Sequence, residues 1–206
     1  ASCLIEDNEI KTLPKTENSV GVDMGLKHFL IISNGEYVPN NKFSIRNEYK
    51  LRRLQRKFAK TKKGGKNREK LRIRIAKLYQ KITNQREHFY HQVSNKLIRE
   101  NQSITIETLK VANMVKNRKL SRAISDVAWS SFTSMLEYKC NWYGRELIKV
   151  PSNYASSKIC SCCGNKKEDL KLSDRIYNCD SCGISLDRDE NAATNLKQYR
   201  KKHPLI

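Results

Sequence analysis

The sequence predicts an α/β protein with a long basic helical hairpin and an inserted four-cysteine zinc ribbon. Three observations predict it. Short apolar runs with strand-like alternation occur near residues 20–25, 29–32, 103–107 and 147–150. Between the second and third of these, apolar residues recur at helical spacing through a stretch dense with Lys and Arg. Finally, Cys160-x-x-Cys163 and Cys179-x-x-Cys182 form two knuckles.

Residues 2–13 alternate weakly and read as one strand; Pro14 and the polar run to Ser19 read as a linker. Val20-Gly-Val-Asp-Met-Gly25 reads as a strand entering a turn, with Val20 and Val22 on one face and Asp23 on the other with Gly21 and Gly25. Phe29–Ile32 is a strand, Ser33-Asn-Gly35 a hairpin turn, and Tyr37-Val38 a third strand cut off by Pro39. Leu51, Leu54 and Phe58, then Leu71, Ile75, Leu78, Ile82, Phe89, Val93 and Leu97, form a narrow seam on two antiparallel helices over about 46–100. Lys62-Lys-Gly-Gly-Lys66 breaks them. Ser103–Glu107 is a strand with Ile104 and Ile106 facing one way and Thr105 and Glu107 the other. Residues 113–122 are polar and read as a loop. Asp126 is placed to cap a helix burying Trp129, Phe132, Leu136 and Tyr143 and ending at Gly144. Leu147–Val150 is a strand stopped by Pro151, and Ala192–Tyr199 a final helix capped near Asp189, before a basic tail.

The formal net charge is +20, and residues 46–86 hold 17 Lys or Arg against two acids, Glu48 and Glu69. A surface that serves only solubility mixes both signs. So concentrated a block predicts contact with nucleic-acid phosphates, through Arg52, Arg53, Arg56, Lys57, Lys62, Lys63, Lys66, Arg68, Arg72 and Arg74. An anionic membrane surface would instead want an amphipathic helix with an aromatic face, which the sequence lacks. No signal-peptide core or long apolar span is present, so the expected location is cytoplasmic. The chain starts at Ala1 rather than Met, as expected of a processed chain or a fragment.

Two knuckles separated by fifteen residues suit one tetrahedral Zn²⁺ held by Cys160, Cys163, Cys179 and Cys182. Gly164 and Gly183 follow the knuckles, where the backbone must turn tightly. Two disulfides are the alternative, but nothing else in the chain suggests secretion. Cys3, Cys140 and Cys162 are left over, which suits a reducing compartment.

Three acids stand at strand ends or a helix start: Asp23, Glu107 and Asp189. Clustered carboxylates repel one another unless a cation lies between them, and such oxygens select Mg²⁺ or Mn²⁺. Spacing alone leaves open whether they are such a trio or ordinary turn and cap residues.

Gly21-Val-Asp-Met-Gly25, Ile106-Glu-Thr-Leu109, Cys160-Ser-Cys-Cys-Gly164 and Asp187-Arg-Asp-Glu-Asn-Ala-Ala-Thr-Asn-Leu196 together resemble the TnpB family. These are insertion-sequence-encoded RNA-guided nucleases related to type V CRISPR effectors. Leu54-Gln-Arg56, Ser130–Phe132 and Tyr154-Ala-Ser-Ser157 connect the motifs, in order, from about Ser19 to Lys197. The resemblance implies a ribonuclease H-like (RuvC) fold whose Mg²⁺- or Mn²⁺-binding acids are Asp23, Glu107 and Asp189, with Asp189 preferred to Asp187. It implies Arg188 and Asn191 as supporting residues, and DNA and a guide RNA as partners. It divides the chain into a remnant of a preceding domain and linker (1–18), a RuvC-like domain (19–157), a zinc ribbon (158–184) and a last motif with helix and tail (185–206). The expected function is metal-dependent DNA cleavage; the alternatives are a non-catalytic nucleic-acid-binding remnant or a DNA-strand transferase. The last lacks the His-hydrophobe-His pair that it would need.

Overall fold

The computed structural model describes residues 11–171 and 173–202. The expected strand at 2–13 lies largely outside them, as do Cys3 and residues 203–206 of the basic tail. Five strands form one mixed sheet: β1 Ser19–Met24, β2 His28–Ile32, β3 Tyr37–Pro39, β4 Ser103–Glu107 and β5 Glu146–Val150. Their order is β3-β2-β1-β4-β5. The two hairpin-linked pairs are antiparallel, while β1, β4 and β5 run parallel. The β2–β3 turn closes at Gly35, whose φ of 86° lies where a side chain would be strained.

One sheet face is buried under two long helices. Helix α1 (Phe43–Arg46) leads into α2 (Glu48–Ala59), which pairs with α3 (Lys66–Glu100) across the glycine turn. The first half of α3 carries the expected seam. Its second half docks on the sheet with Tyr90, Ser94, Leu97 and Ile98, the i, i+4, i+7, i+8 stripe of an amphipathic helix. After β4 come α4 (Val111–Met114), α5 (Ser121–Val127) and α6 (Trp129–Tyr143). Phe29, Tyr90 and Phe132 interlock here: Phe29 stacks on Tyr90 with centroids 5.0 Å apart and meets Phe132 edge-on at 4.9 Å. A register irregularity between His28 and Leu30 accompanies the turn of Phe29 into this layer.

Two expectations are corrected here. The expected loop at 113–122 is present over residues 115–120, with the end of α4 and the start of α5 at its two edges. Asp126 does not cap α6: it lies inside α5, buried, where its carboxylate accepts the Ser44 N–H in the first turn of α1 at 3.2 Å and pairs with Arg86 at 3.3 Å. Ala128, left-handed at φ 46°, separates α5 from α6 instead. The final helix, α7, spans Arg188–Lys202, starting earlier than expected, and it covers the opposite sheet face. Gly144 does end α6, with φ 65°.

Residues 11–18 follow no regular element but are fastened down: Leu13 N–H donates to the Tyr143 carbonyl at 3.1 Å, and Arg145 to the Pro14 carbonyl at 3.0 Å. The segment between β5 and α7 holds a two-stranded ribbon, β6 Ile176–Asn178 against β7 Ser185–Asp187. Its small core is Cys160, Leu170, Tyr177 and Cys179.

Candidate active site and metal centre

The register of the parallel strands puts two acids side by side. Val22 pairs with Ile106, so Asp23 and Glu107 follow at the carboxyl ends of adjacent strands, on the same face. The third acid arrives from α7. A Cβ on Gly21 would stand 2.1 Å from the Ala193 carbonyl oxygen and 2.3 Å from the Lys197 amide nitrogen, so α7 rests on bare strand backbone. Gly21 lies two residues before Asp23 on the same strand face, and Ala193 one turn beyond Asp189. The contact that seats Ala193 on Gly21 therefore carries Asp189 toward Asp23.

Asp187 has a different task. Its Oδ1 accepts the backbone N–H of Asp189 at 2.9 Å and of Glu190 at 3.3 Å, which is how a helix N-cap works.

Asp23, Glu107 and Asp189 line one open cleft of about 320 Å³, with His28, Arg175 and Arg188 also in its wall. Burial, then the charges of Glu107 and Asp189, hold Asp23 well above the ordinary carboxylate range, with Arg188 opposing. Burial pushes Glu107 up to about 7, helped by Asp189 and opposed by the Met24 backbone N–H. Two carboxyls raised in this way, facing a third acid in one cleft, could hold a cation.

The two supporting residues separate. Arg188 lines the cleft and donates to the Lys171 carbonyl at 3.1 Å and the Ser157 hydroxyl at 3.3 Å. Asn191 is fully buried on the ribbon side. It accepts the Ser161 N–H at 2.9 Å and donates to the Ile159 carbonyl at 2.7 Å. Asn195 and Gln198 extend the ladder, donating to Ile159 and Ser161 carbonyls at 2.6 and 2.9 Å. The Asn191, Asn195, Gln198 spacing is an ordinary polar helix face in sequence, so its grip on the ribbon gave no signal there. Arg175 was also missed. It reaches from the ribbon to within 4.0 Å of Asp189, a contact that ribbon docking creates.

The four knuckle thiols lie within 4.8 Å of one another, and among the described residues no other metal-competent group gathers so closely. Cys160 and Cys182 sulfurs are 3.7 Å apart, and Cys163 and Cys179 3.5 Å. These are free thiols, not disulfides. Tetrahedral Zn²⁺ with bonds of about 2.3 Å sets sulfurs about 3.8 Å apart, so the cluster could hold such an ion. The knuckles repeat one geometry: Gly164 N–H returns to the Cys160 carbonyl at 2.9 Å and Gly183 N–H to that of Cys179 at 3.0 Å. Both glycines have positive φ, 78° and 74°. The Cys182 backbone N–H, ahead of that of Ser181 and the neighbouring thiols, draws Cys179 down to about 6, toward the thiolate that metals bind.

The basic residues fall into two sets. Arg68 lies over the Phe58 ring at 3.9 Å and donates to the Phe58 and Thr61 carbonyls, so it staples the helix turn. Arg52 pairs with Glu48 and Arg72 with Glu69. Arg53, Arg56, Lys57, Lys62, Lys63, Lys66 and Arg74 are exposed and have no carboxylate partner among the described residues. Among the described residues, no helix is long and apolar enough to cross a membrane.

Comparison with known proteins adds a family. The OrfB_IS605 model, described as "Probable transposase", matches residues 2–118. A Cas12f1-like TNB domain matches residues 129–196. A "Putative RNA-guided DNA endonuclease" of Streptomyces pristinaespiralis is 45% identical over 195 residues, covering 95% of this chain and 48% of that protein. TnpB-like protein L79 of Acanthamoeba polyphaga mimivirus is 34% identical over 200 residues, 88% of this chain and 37% of its own length. The chain thus spans about half, or less, of the length of these curated relatives. A solved Cas12f1–sgRNA–target DNA complex shares the fold, with TM-score 0.61, 20% identity, and coverage of 90% of this chain and 50% of that one. Matched over more than half its length by the OrfB_IS605 model, the chain belongs to the TnpB family of insertion-sequence proteins.

Proposed function

We propose that this chain is the nuclease portion of a transposon-associated, RNA-guided DNA endonuclease. The strand order, with antiparallel β3-β2-β1 joined to parallel β1-β4-β5, supports a ribonuclease H-like sheet of the RuvC kind. The observation that carries the proposal is the meeting of Asp23, Glu107 and Asp189 in one cleft, from two strand ends and a helix start. Their hard oxygens suit Mg²⁺ or Mn²⁺. Such ions, when bound, supply an activated water and a counter-charge for the leaving oxygen of a phosphodiester.

The chain's own residues do the positioning. Gly21 sets the height of α7, and with it Asp189. Arg188, tied to the ribbon side by Lys171 and Ser157, keeps positive charge beside Asp23. Arg175 stands where a phosphate would enter. The exposed cations of α2, of the turn after it and of α3 meet the backbones of DNA or guide RNA by charge, without reading bases. Zn²⁺ on the four cysteines would fix the ribbon that presents Arg175. A cytoplasmic setting, where thiols stay reduced, goes with this reading.

The test is cleavage of single-stranded DNA with and without added Mg²⁺, by the intact chain and by Asp23→Ala. Mg²⁺-dependent cleavage that Asp23→Ala abolishes, with its melting temperature kept, is expected. Cleavage surviving the substitution would refute the mechanism. Binding with no cleavage under any condition would leave a non-catalytic nucleic-acid-binding part.

A further inference from the structure

We propose that Tyr37, backed by His28, is a stacking platform for an unpaired base of the strand being cut. The inference rests on the nuclease reading and deepens it. It assigns a subsite, and a single-stranded substrate, to a surface beside the acids.

The sheet register places the platform. Asp23 pairs with Ile31, and Ile31 with Tyr37, so the three form one row across β1, β2 and β3 and share a face. Two strand spacings, about 10 Å, separate the Tyr37 backbone from that of Asp23. A base resting on Tyr37 therefore belongs to a nucleotide at or near the scissile phosphate.

Two contacts fix the ring. Its hydroxyl donates to Glu190 Oε1 at 2.7 Å, next in sequence to Asp189. Its ring meets that of His28 edge-on, with centroids 5.0 Å apart and planes at 71°. Yet Tyr37 remains 37% exposed, on a strand at the sheet edge. Isolated surface aromatics are common and need no explanation. This one is held at its tip and its edge while surface stays open to solvent, so little rotamer freedom remains to be lost on binding. Burial, and then the bond to Glu190, also raise its pKa, so the phenol stays neutral beside incoming phosphate. Lys27 and Arg175 line the neighbouring acid cleft together with His28, the ring that backs Tyr37, and supply the charge that the phosphate backbone requires. A π-face beside cations is how single strands are gripped without sequence preference; a paired base in duplex has no free face to offer.

The test uses the intact chain, zinc retained, with no added Mg²⁺. The probes are a single-stranded oligonucleotide bearing 2-aminopurine and a duplex of the same sequence. Wild type should quench the 2-aminopurine. Tyr37→Ala should lose the quenching and weaken single-strand binding about 5- to 150-fold, the range of one base–aromatic stack, while duplex affinity holds. Tyr37→Phe keeps the ring and should retain most of both signals. Tyr37→Leu keeps bulk without a π-face and should behave like Tyr37→Ala, which settles the matter should the alanine variant unfold. Unchanged quenching in Tyr37→Ala and Tyr37→Leu, or an equal loss on duplex, would overturn the platform. Because the readout is binding, a chain that never cleaves but stacks through Tyr37 sinks the nuclease reading alone. A chain that cleaves but binds without regard to Tyr37 sinks the platform alone.

Discussion

The aromatic layer beneath α3 and α6 and the thin layer beneath α7 cover the same sheet by opposite means. On the first face Phe29, Tyr90, Phe132, Leu97 and Ile98 are buried, and large side chains keep helix and sheet apart. On the second, Gly21 meets the α7 backbone directly, with Ala192, Ala193 and Leu196 buried around it. Large interdigitating side chains give stability that tolerates some repacking. A backbone-on-backbone contact gives less apolar burial but permits one helix height only. The stabilising face and the positioning face are therefore different faces, and the acids belong to the positioning one.

Several experiments would break or sharpen that contrast. The largest effect should come from the four-thiol cluster. Chelating the Zn²⁺ proposed for it, or Cys179→Ser, should unfold the ribbon, whose core of four residues is small. Hydrogen exchange should then rise across residues 158–187 and the first turns of α7 while α3 and α6 stay protected. Uniform loss of protection would mean that the two faces are one cooperative unit. Next, Phe132→Ala should cost about 3–5 kcal/mol in chemical denaturation, the range for a large side chain removed from a closed core. A cost under about 1 kcal/mol would deny the aromatic face its role.

Gly21→Ala comes third in stability and should lead in function. The added methyl collides with main chain rather than a flexible side-chain end, so α7 must lift, at about 1–3 kcal/mol. Cleavage should fall far more than that loss explains; a fall in proportion to stability would make Gly21 a packing residue only.

The smallest effect concerns pH. Glu107 titrates near 7 in the fold against an ordinary value of 4.5, so the folded state holds its proton longer than the unfolded state does. Stability from this group is fully present below about 4.5 and is lost as pH rises toward 7. Glu107→Gln should therefore be relatively more stable than wild type at pH 8 than at pH 5, without added divalent cations. Added Mg²⁺ should narrow the gap. An equal difference at both pH values would show that neither burial nor the neighbouring Asp189 holds the proton on Glu107.

What the sequence disclosed follows the same divide. Period-two alternation places Val20 and Val22 opposite Asp23, and Cys-x-x-Cys spacing with trailing glycines yields the knuckles, because these signals are local. The 3.6-residue seam exposes the long helices for the same reason. Asp126 misled because an Asp before an apolar helical run is a good cap by local rules; its Ser44 and Arg86 partners come from distant segments. Arg68 reads as one more free cation until the helix turn folds it over Phe58. Gly21 reads as a strand glycine, and only tertiary structure shows which backbone it admits. The candidate acids were legible as residues at element ends, but their shared cleft depends on strand register and on the seating of α7.

The polar ladder of Asn191, Asn195 and Gln198 ties α7 to the ribbon and so restricts the chain between them. Helix α7 is delivered to the sheet by everything between Val150 and Arg188. As an open loop, that segment must be closed from a wide ensemble of conformations. A metal cross-link at Cys160 and Cys182 would leave only residues 151–159 and 183–187 free, which would shorten the effective loop by a little over one halving, worth roughly 1 kcal/mol. The ladder would then hand that constraint to the helix, because it bonds to Ile159 and Ser161 on either side of the first thiol. The thiol cluster would thus narrow the conformational search for Asp189 without touching it.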